Sequence, residues 1–112
     1  MNKIEKRMRR KRGIRKKIFG TPAMPRVTVF KSNKHIYVQA VDDQVGRTLA
    51  YSSDAFAGAK RSKEGAVTVG EKLAEKLLGK EIKQVVFDRN GYLYHGLVKA
   101  VADGIRKGGI KV

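Results

Sequence analysis

Gln84-Val85-Val86-Phe87-Asp88-Arg89-Asn90-Gly91-Tyr92-Leu93-Tyr94-His95-Gly96 is the stretch on which the fold turns. Val85, Val86 and Phe87 form a short apolar run of β-formers, the pattern of a buried strand. Residues 88–91 are polar and contain Asn-Gly, a strong turn signal. A helical pattern follows, with Leu93, Leu97, Ala100, Val101 and Ile105 on one face. A strand therefore ends in a tight loop, and Tyr92, Tyr94 and His95 stand at a helix entrance. In α/β folds that edge of the sheet is where ligands bind.

Upstream of this unit, three strands are expected in quick succession. Residues 26–31 alternate Val27 and Val29 against Thr28 and Phe30. Ser32-Asn33-Lys34 is a short turn, so the next strand should run antiparallel. Residues 35–41 place Ile36, Val38 and Ala40 on one face and His35, Tyr37, Gln39 and Val41 on the other. After a turn at Asp42-Asp43-Gln44, residues 45–52 read as a third strand and residues 53–61 as a loop. Ser62 is placed to cap a helix. Its buried stripe is Ala66, Val69, Gly70, Leu73, Ala74 and Leu77, and Gly79 is the expected C-cap. The last helix closes on Arg106 and Lys107, whose charges suit a helix C-terminus, before Gly108-Gly109.

The pattern predicts a single α/β domain of order βββαβα. Its four-stranded mixed sheet has strand order 3-2-1-4, with the fourth strand parallel to the first. Both helices should pack on one face of the sheet, leaving part of the other open to a partner. Gly20-Thr21-Pro22-Ala23-Met24-Pro25 marks the boundary, since its prolines stop a helix and stiffen the chain. Residues 1–25 are expected to be a basic, mobile arm and linker, and residues 26–112 the globular α/β domain.

Charge narrows the function. The 112 residues carry a formal net charge of +16. Residues 1–17 hold Lys3, Lys6, Arg7, Arg9, Arg10, Lys11, Arg12, Arg15, Lys16 and Lys17 against the single acid Glu5. With so little apolar content, the arm is expected to order on phosphate rather than alone. Such self-repulsion points to a polyanion, with nucleic acid ahead of an acidic membrane. The arm lacks the aromatics and broad apolar face of a membrane helix. No apolar run approaches the ~18 residues of a membrane span, and no signal-peptide pattern is present. The chain contains no cysteine, hence no disulfide framework or thiolate metal site. A cytoplasmic location is expected.

Catalysis finds little support. His35 and His95 are the two histidines, and an Asp88–His95 acid/base pair is the best the sequence offers. No serine or cysteine lies in a nucleophile motif. The converging carboxylates of a two-metal nuclease are missing from the first strand. No Gly-rich phosphate loop is present. No cofactor, metal or small-molecule substrate is expected.

RNA binding accounts for more residues at once, because aromatic faces stack on unpaired bases while Lys and Arg meet phosphates. Lys31, Ser32, Asn33, Lys34 and His35 form one basic hairpin tip. Arg89, Asn90 and His95 form a second polar cluster near a helix N-terminus, itself attractive to phosphate. Tyr37, Tyr92, Tyr94 and Phe30 are the available rings, with Phe30 expected in the core or half-buried. A small RNA-processing enzyme on the same scaffold is the alternative.

Lys31-Ser32-Asn33-Lys34-His35-Ile36-Tyr37-Val38-Gln39 and the stretch from Val85 to Gly96 resemble the two signature blocks of a ribosomal family. It is the family of the bacterial large-subunit protein numbered eighteen. The arm, Pro25-Arg26 and Val98-Lys99-Ala100-Val101-Ala102-Asp103 fit as well, so the resemblance covers the whole chain. It implies a structural protein that binds 5S rRNA and helps attach it to 23S rRNA at the central protuberance. Implied partners are both RNAs and neighbouring proteins, among them the large-subunit protein numbered five. The implied fold is a trimmed ribonuclease-H-like domain without the catalytic acids. The resemblance carries over the arm, Ser32 to His35, and Arg89, Tyr92, Tyr94 and His95 as RNA contacts. Asn90 stands where the family often has Gly, and Leu97 where it often has Arg; Asn also tolerates a left-handed backbone.

Overall fold

The computed structural model describes residues 2–15 and 17–112, with Phe56 as backbone only. In chain order the elements are α1 (Lys3–Arg15), β1 (Arg26–Lys31), β2 (Ile36–Asp42), β3 (Arg47–Ser53), α2 (Asp54–Ala57), α3 (Lys63–Gly79), β4 (Val86–Asp88) and α4 (Gly96–Lys107). The four strands form one sheet in the order β3-β2-β1-β4. β1 pairs antiparallel with β2, from Arg26 opposite Val41 to Lys31 opposite Ile36. It pairs in parallel with β4, placing Val27 beside Phe87 and Thr28 beside Asp88. The expected strand order and directions are those observed.

Strand alternation sorts the sheet into two unlike faces. Val27, Val29, Ile36, Val38 and Ala40 are essentially without solvent exposure, and they pack into one core with Val69, Leu73, Leu77, Val98, Val101 and Ile105 of α3 and α4. The two helices cross closely, because a side chain at Gly70 would strike the Val101 carbonyl and one at Gly104 the Val67 carbonyl. Ser62 caps α3 as expected, its hydroxyl accepting from the Gly65 N–H at 3.1 Å.

Several local expectations shift. The β2–β3 turn is longer than the sequence suggests: β3 begins at Arg47, and Val45, expected in the strand, is 71% exposed. Residues 53–61, expected as a loop, contain the short helix α2. Gly79 is the last residue of α3 rather than its cap; Lys80 closes the helix, and Glu81 takes the left-handed conformation at φ 62°. Leu93 does not belong to the α4 stripe and is 52% exposed. Residues 89–95 are held in turns by Tyr92 N–H to the Arg89 carbonyl and His95 N–H to the Leu93 carbonyl, so the helix starts only at Gly96.

The largest difference lies in the arm, expected to have no structure of its own. Residues 3–15 form α1, although none of them is buried. Asn2 caps the helix: the Glu5 N–H donates to Asn2 Oδ1 at 2.7 Å, and Asn2 Nδ2 donates to Glu5 Oε1 at 3.1 Å. Lys and Arg are themselves good helix formers.

Candidate nucleic-acid interface

The face of the sheet turned away from α3 and α4 carries polar and aromatic side chains. At its base lies a buried ion network. Arg26 enters β1 with its guanidinium between two carboxylates, Nε 2.8 Å from Asp43 Oδ2 and Nη1 2.8 Å from Asp88 Oδ2. The hydrogen bond to Asp43 raises the Arg26 pKa despite burial. The same bond from Arg26, assisted by the Gly20 N–H, holds the Asp43 carboxyl below its ordinary value. Asp88 is fully buried, and its other oxygen accepts from the Asn90 N–H at 2.8 Å.

Above that base, Thr28, Phe30, Tyr37 and Gln39 of β1 and β2, with Lys11 and Arg15 of α1 and Asn90, line an open cleft of about 280 Å³. Phe30, expected in or near the core, is 52% exposed here. It stands opposite Tyr37, whose ring stacks on Tyr51 at 5.8 Å between centroids. Cations beside open aromatic faces suit phosphate and unpaired base together.

The hairpin tip is built as the sequence suggests. The Ser32 hydroxyl accepts from the His35 N–H at 3.1 Å, closing the turn and leaving Ser32, Asn33, Lys34 and His35 exposed. His35 Nδ1 lies 3.2 Å from the buried Asp54 carboxylate. Arg61, not singled out from the sequence, donates from Nε to the Ser32 carbonyl at 2.7 Å and adds a cation beside the tip. Lys31 is half-buried.

The loop after β4 is more committed internally than its residue types suggest. Asn90 is buried at φ 55°, the left-handed backbone expected of Asn at that position, and its amide donates to the Val29 carbonyl at 3.0 Å. The Tyr92 hydroxyl donates to the Lys31 carbonyl at 3.1 Å, while the Arg7 guanidinium lies 4.0 Å above its ring. Arg89 donates to the Tyr92 carbonyl at 3.1 Å. The Tyr94 hydroxyl accepts from Arg106 at 3.1 Å, and its ring meets the edge of Phe87, yet the residue stays 40% exposed. His95 is exposed at the N-cap of α4 and makes no side-chain capping bond.

Along α1 the cations sort by helical spacing. Arg7, Arg10, Lys11 and Ile14 are half-buried on the side facing the sheet and the loop, while Lys3, Lys6, Arg9, Arg12 and Arg15 are exposed, as is Lys17 just beyond the helix. Lys16, also expected at the interface, lies outside the described residues.

Asp88 is committed to Arg26 and the Asn90 N–H, which leaves it no acid/base role with His95. Among the described residues, no group of His, Asp or Glu could hold a metal ion, and no helix is long and apolar enough to cross a membrane.

Comparison with known proteins agrees with this chemistry. Residues 1–112 match the model of the family described as ribosomal L18 of archaea, bacteria, mitochondria and chloroplasts. The chain is 56% identical to the large ribosomal subunit protein uL18 of Treponema denticola, over 98% of this chain and 94% of that one. It is 54% identical to uL18 of Nitratiruptor, over 94% and 89%, and 51% identical to uL18 of Thermotoga petrophila, over 98% and 95%. A basic helix, an open aromatic face and a whole-length match converge on one conclusion: the chain belongs to the ribosomal L18 family, a family of structural ribosomal proteins and not of enzymes.

Proposed function

We propose that this ribosomal protein works in the large subunit by binding 5S rRNA and helping to attach it to 23S rRNA at the central protuberance, beside neighbouring proteins that include the one numbered five. The observation that carries the reading is the juxtaposition of α1 with the open sheet face: Lys11 and Arg15 line a cleft walled by Phe30 and Tyr37, and exposed Lys3, Arg9 and Arg12 extend the cationic surface along the same helix. Backbone phosphates supply affinity through the cations, and folded RNA shape is read by the cleft and the hairpin tip. Ser32, Asn33, Lys34, His35, Tyr94 and His95 are exposed and serve as direct contacts. Residues 26–112 hold the core and act as the folded body, to which the Gly20 N–H and the Pro25 carbonyl tie the linker, while the arm before Gly20 stays mobile in the free protein and orders on RNA.

The test is the salt dependence of binding to a 5S rRNA transcript, in competition with an unrelated structured RNA of equal length. Log K should fall with log salt by about 0.7–0.9 per phosphate neutralised. Removing residues 1–17 should flatten that slope while leaving the body folded, since no residue of α1 belongs to the core. Equal competition by the unrelated RNA would overturn the reading.

A further inference from the structure

The loop after β4 presents two backbone carbonyls to α1. Asn90 and Gly91 both have left-handed backbone, φ 55° and 76°. The Asn90 N–H is held by Asp88, Asp88 is held by Arg26, and the Asn90 amide is turned inward onto Val29. These bonds aim the Asn90 and Gly91 carbonyls outward, where the first accepts from Arg7 Nε at 3.2 Å and the second from Arg10 Nε at 2.8 Å. Arg7 also covers the ring of Tyr92, which is itself tied to Lys31. The fit is close: a Cβ at Gly91 would collide with the Arg7 carbonyl oxygen, so the backbone of α1 rests on this loop.

We infer that the loop is a seat for the basic helix, and that Asp88, Asn90 and Gly91 are positioning residues acting on RNA through α1. The inference rests on the RNA-binding reading above and deepens it. The partners of Arg7 and Arg10 are two carbonyl dipoles and a ring face, with no carboxylate among them. They orient the helix without neutralising it. Like charges recur at i, i+4 along α1, in Lys3/Arg7, Lys6/Arg10, Arg7/Lys11 and Lys11/Arg15, and each pair opposes the helix. The seat therefore sets the direction and register of the arm, and RNA phosphate supplies the counter-charge that lets it stay. Docking of the arm and capture of RNA are one coupled event, with Lys6, Arg9 and Arg12 left facing outward.

A double-mutant cycle on the full chain tests this with a 5S rRNA transcript. Gly91→Ala should weaken binding roughly tenfold, the scale of coupling between residues in contact. In a chain already carrying Arg7→Met and Arg10→Met, it should weaken binding less than about twofold. Equal factors in both backgrounds would mean that the loop meets RNA directly and would overturn the inference. Amide exchange over residues 3–15 in the complex gives a second readout, with protection expected in the parent and lost in Arg10→Met. That substitution touches no core residue, so the readout holds even if Gly91→Ala fails to fold. Protection that survives Arg10→Met overturns the seat while leaving the RNA reading standing. A parent chain that does not bind the transcript overturns both.

Discussion

The two faces of the sheet are built on opposite physics. Behind it, valines, isoleucine and alanine meet α3 and α4, and water is excluded by hydrocarbon alone. In front, Arg26 and Asp88 are nearly as buried, yet they are charged and exist there only as partners. Apolar packing tolerates partial loss, since truncation costs the transferred surface plus a cavity. A buried ion pair does not, because removing one member strands the other in a medium that cannot solvate it. The base of the front face is therefore as strongly determined as the core, although it is charged rather than hydrophobic.

That contrast can be broken at its strongest point. Asp88→Ala should destabilise the fold by about 3 kcal/mol, because the buried Arg26 Nη1 and the Asn90 N–H lose their acceptor while Asp43 still pairs with the guanidinium. Leu73→Ala, in the core, should cost about 2–5 kcal/mol. Urea denaturation of the two variants measures both. A cost for Asp88→Ala below about 1 kcal/mol would mean that the network is decoration rather than foundation.

Acid sharpens the comparison with a smaller effect. Arg26 holds the Asp43 carboxyl below its ordinary value, so the unfolded chain takes up that proton first as pH falls. The resulting stabilisation is complete at neutral pH and declines below the ordinary carboxylate value of about 3.9. It is gone once pH has passed below the depressed value in the folded protein. The urea midpoint of the parent should exceed that of Asp43→Asn at neutral pH, and the gap should close on acidification. A gap independent of pH would place the stabilisation elsewhere.

The smallest effect is expected on the outer surface of the helices. Lys99 lies 3.0 Å from Asp103 one turn away, with both side chains about half exposed. Lys99→Ala should change stability by no more than about 0.5 kcal/mol. A larger cost would show that the outer helix surface is organised by more than solvated pairs.

What the sequence determined by itself is whatever follows from period and punctuation. Alternation in Val27 and Val29, in Ile36, Val38 and Ala40, and the 3.6-residue stripes from Ala66 to Leu77 and Ala100 to Ile105, lead to the sheet order and the helix-covered face. Asn-Gly after Phe87 locates the turn, and residue types alone mark the hairpin tip and the charged arm. No apolar stripe marks the arm, so nothing in its composition points to a helix there.

Tertiary structure alone decided how the front face works. The inward stripe of α1 is cationic, and its partners are backbone carbonyls, which every residue possesses and no composition reveals. Arg26, Asp43 and Asp88 lie far apart in the chain, and their pairing is created when β1, β4 and the β2–β3 turn converge. Alternation sets Phe30 on the face opposite Val29, but only the fold shows that face opening on a cleft instead of meeting a second layer. Periodic burial leaves a trace in sequence because hydrocarbon must be hidden wherever it occurs, whereas an ion pair or a carbonyl bond exists only where distant segments meet.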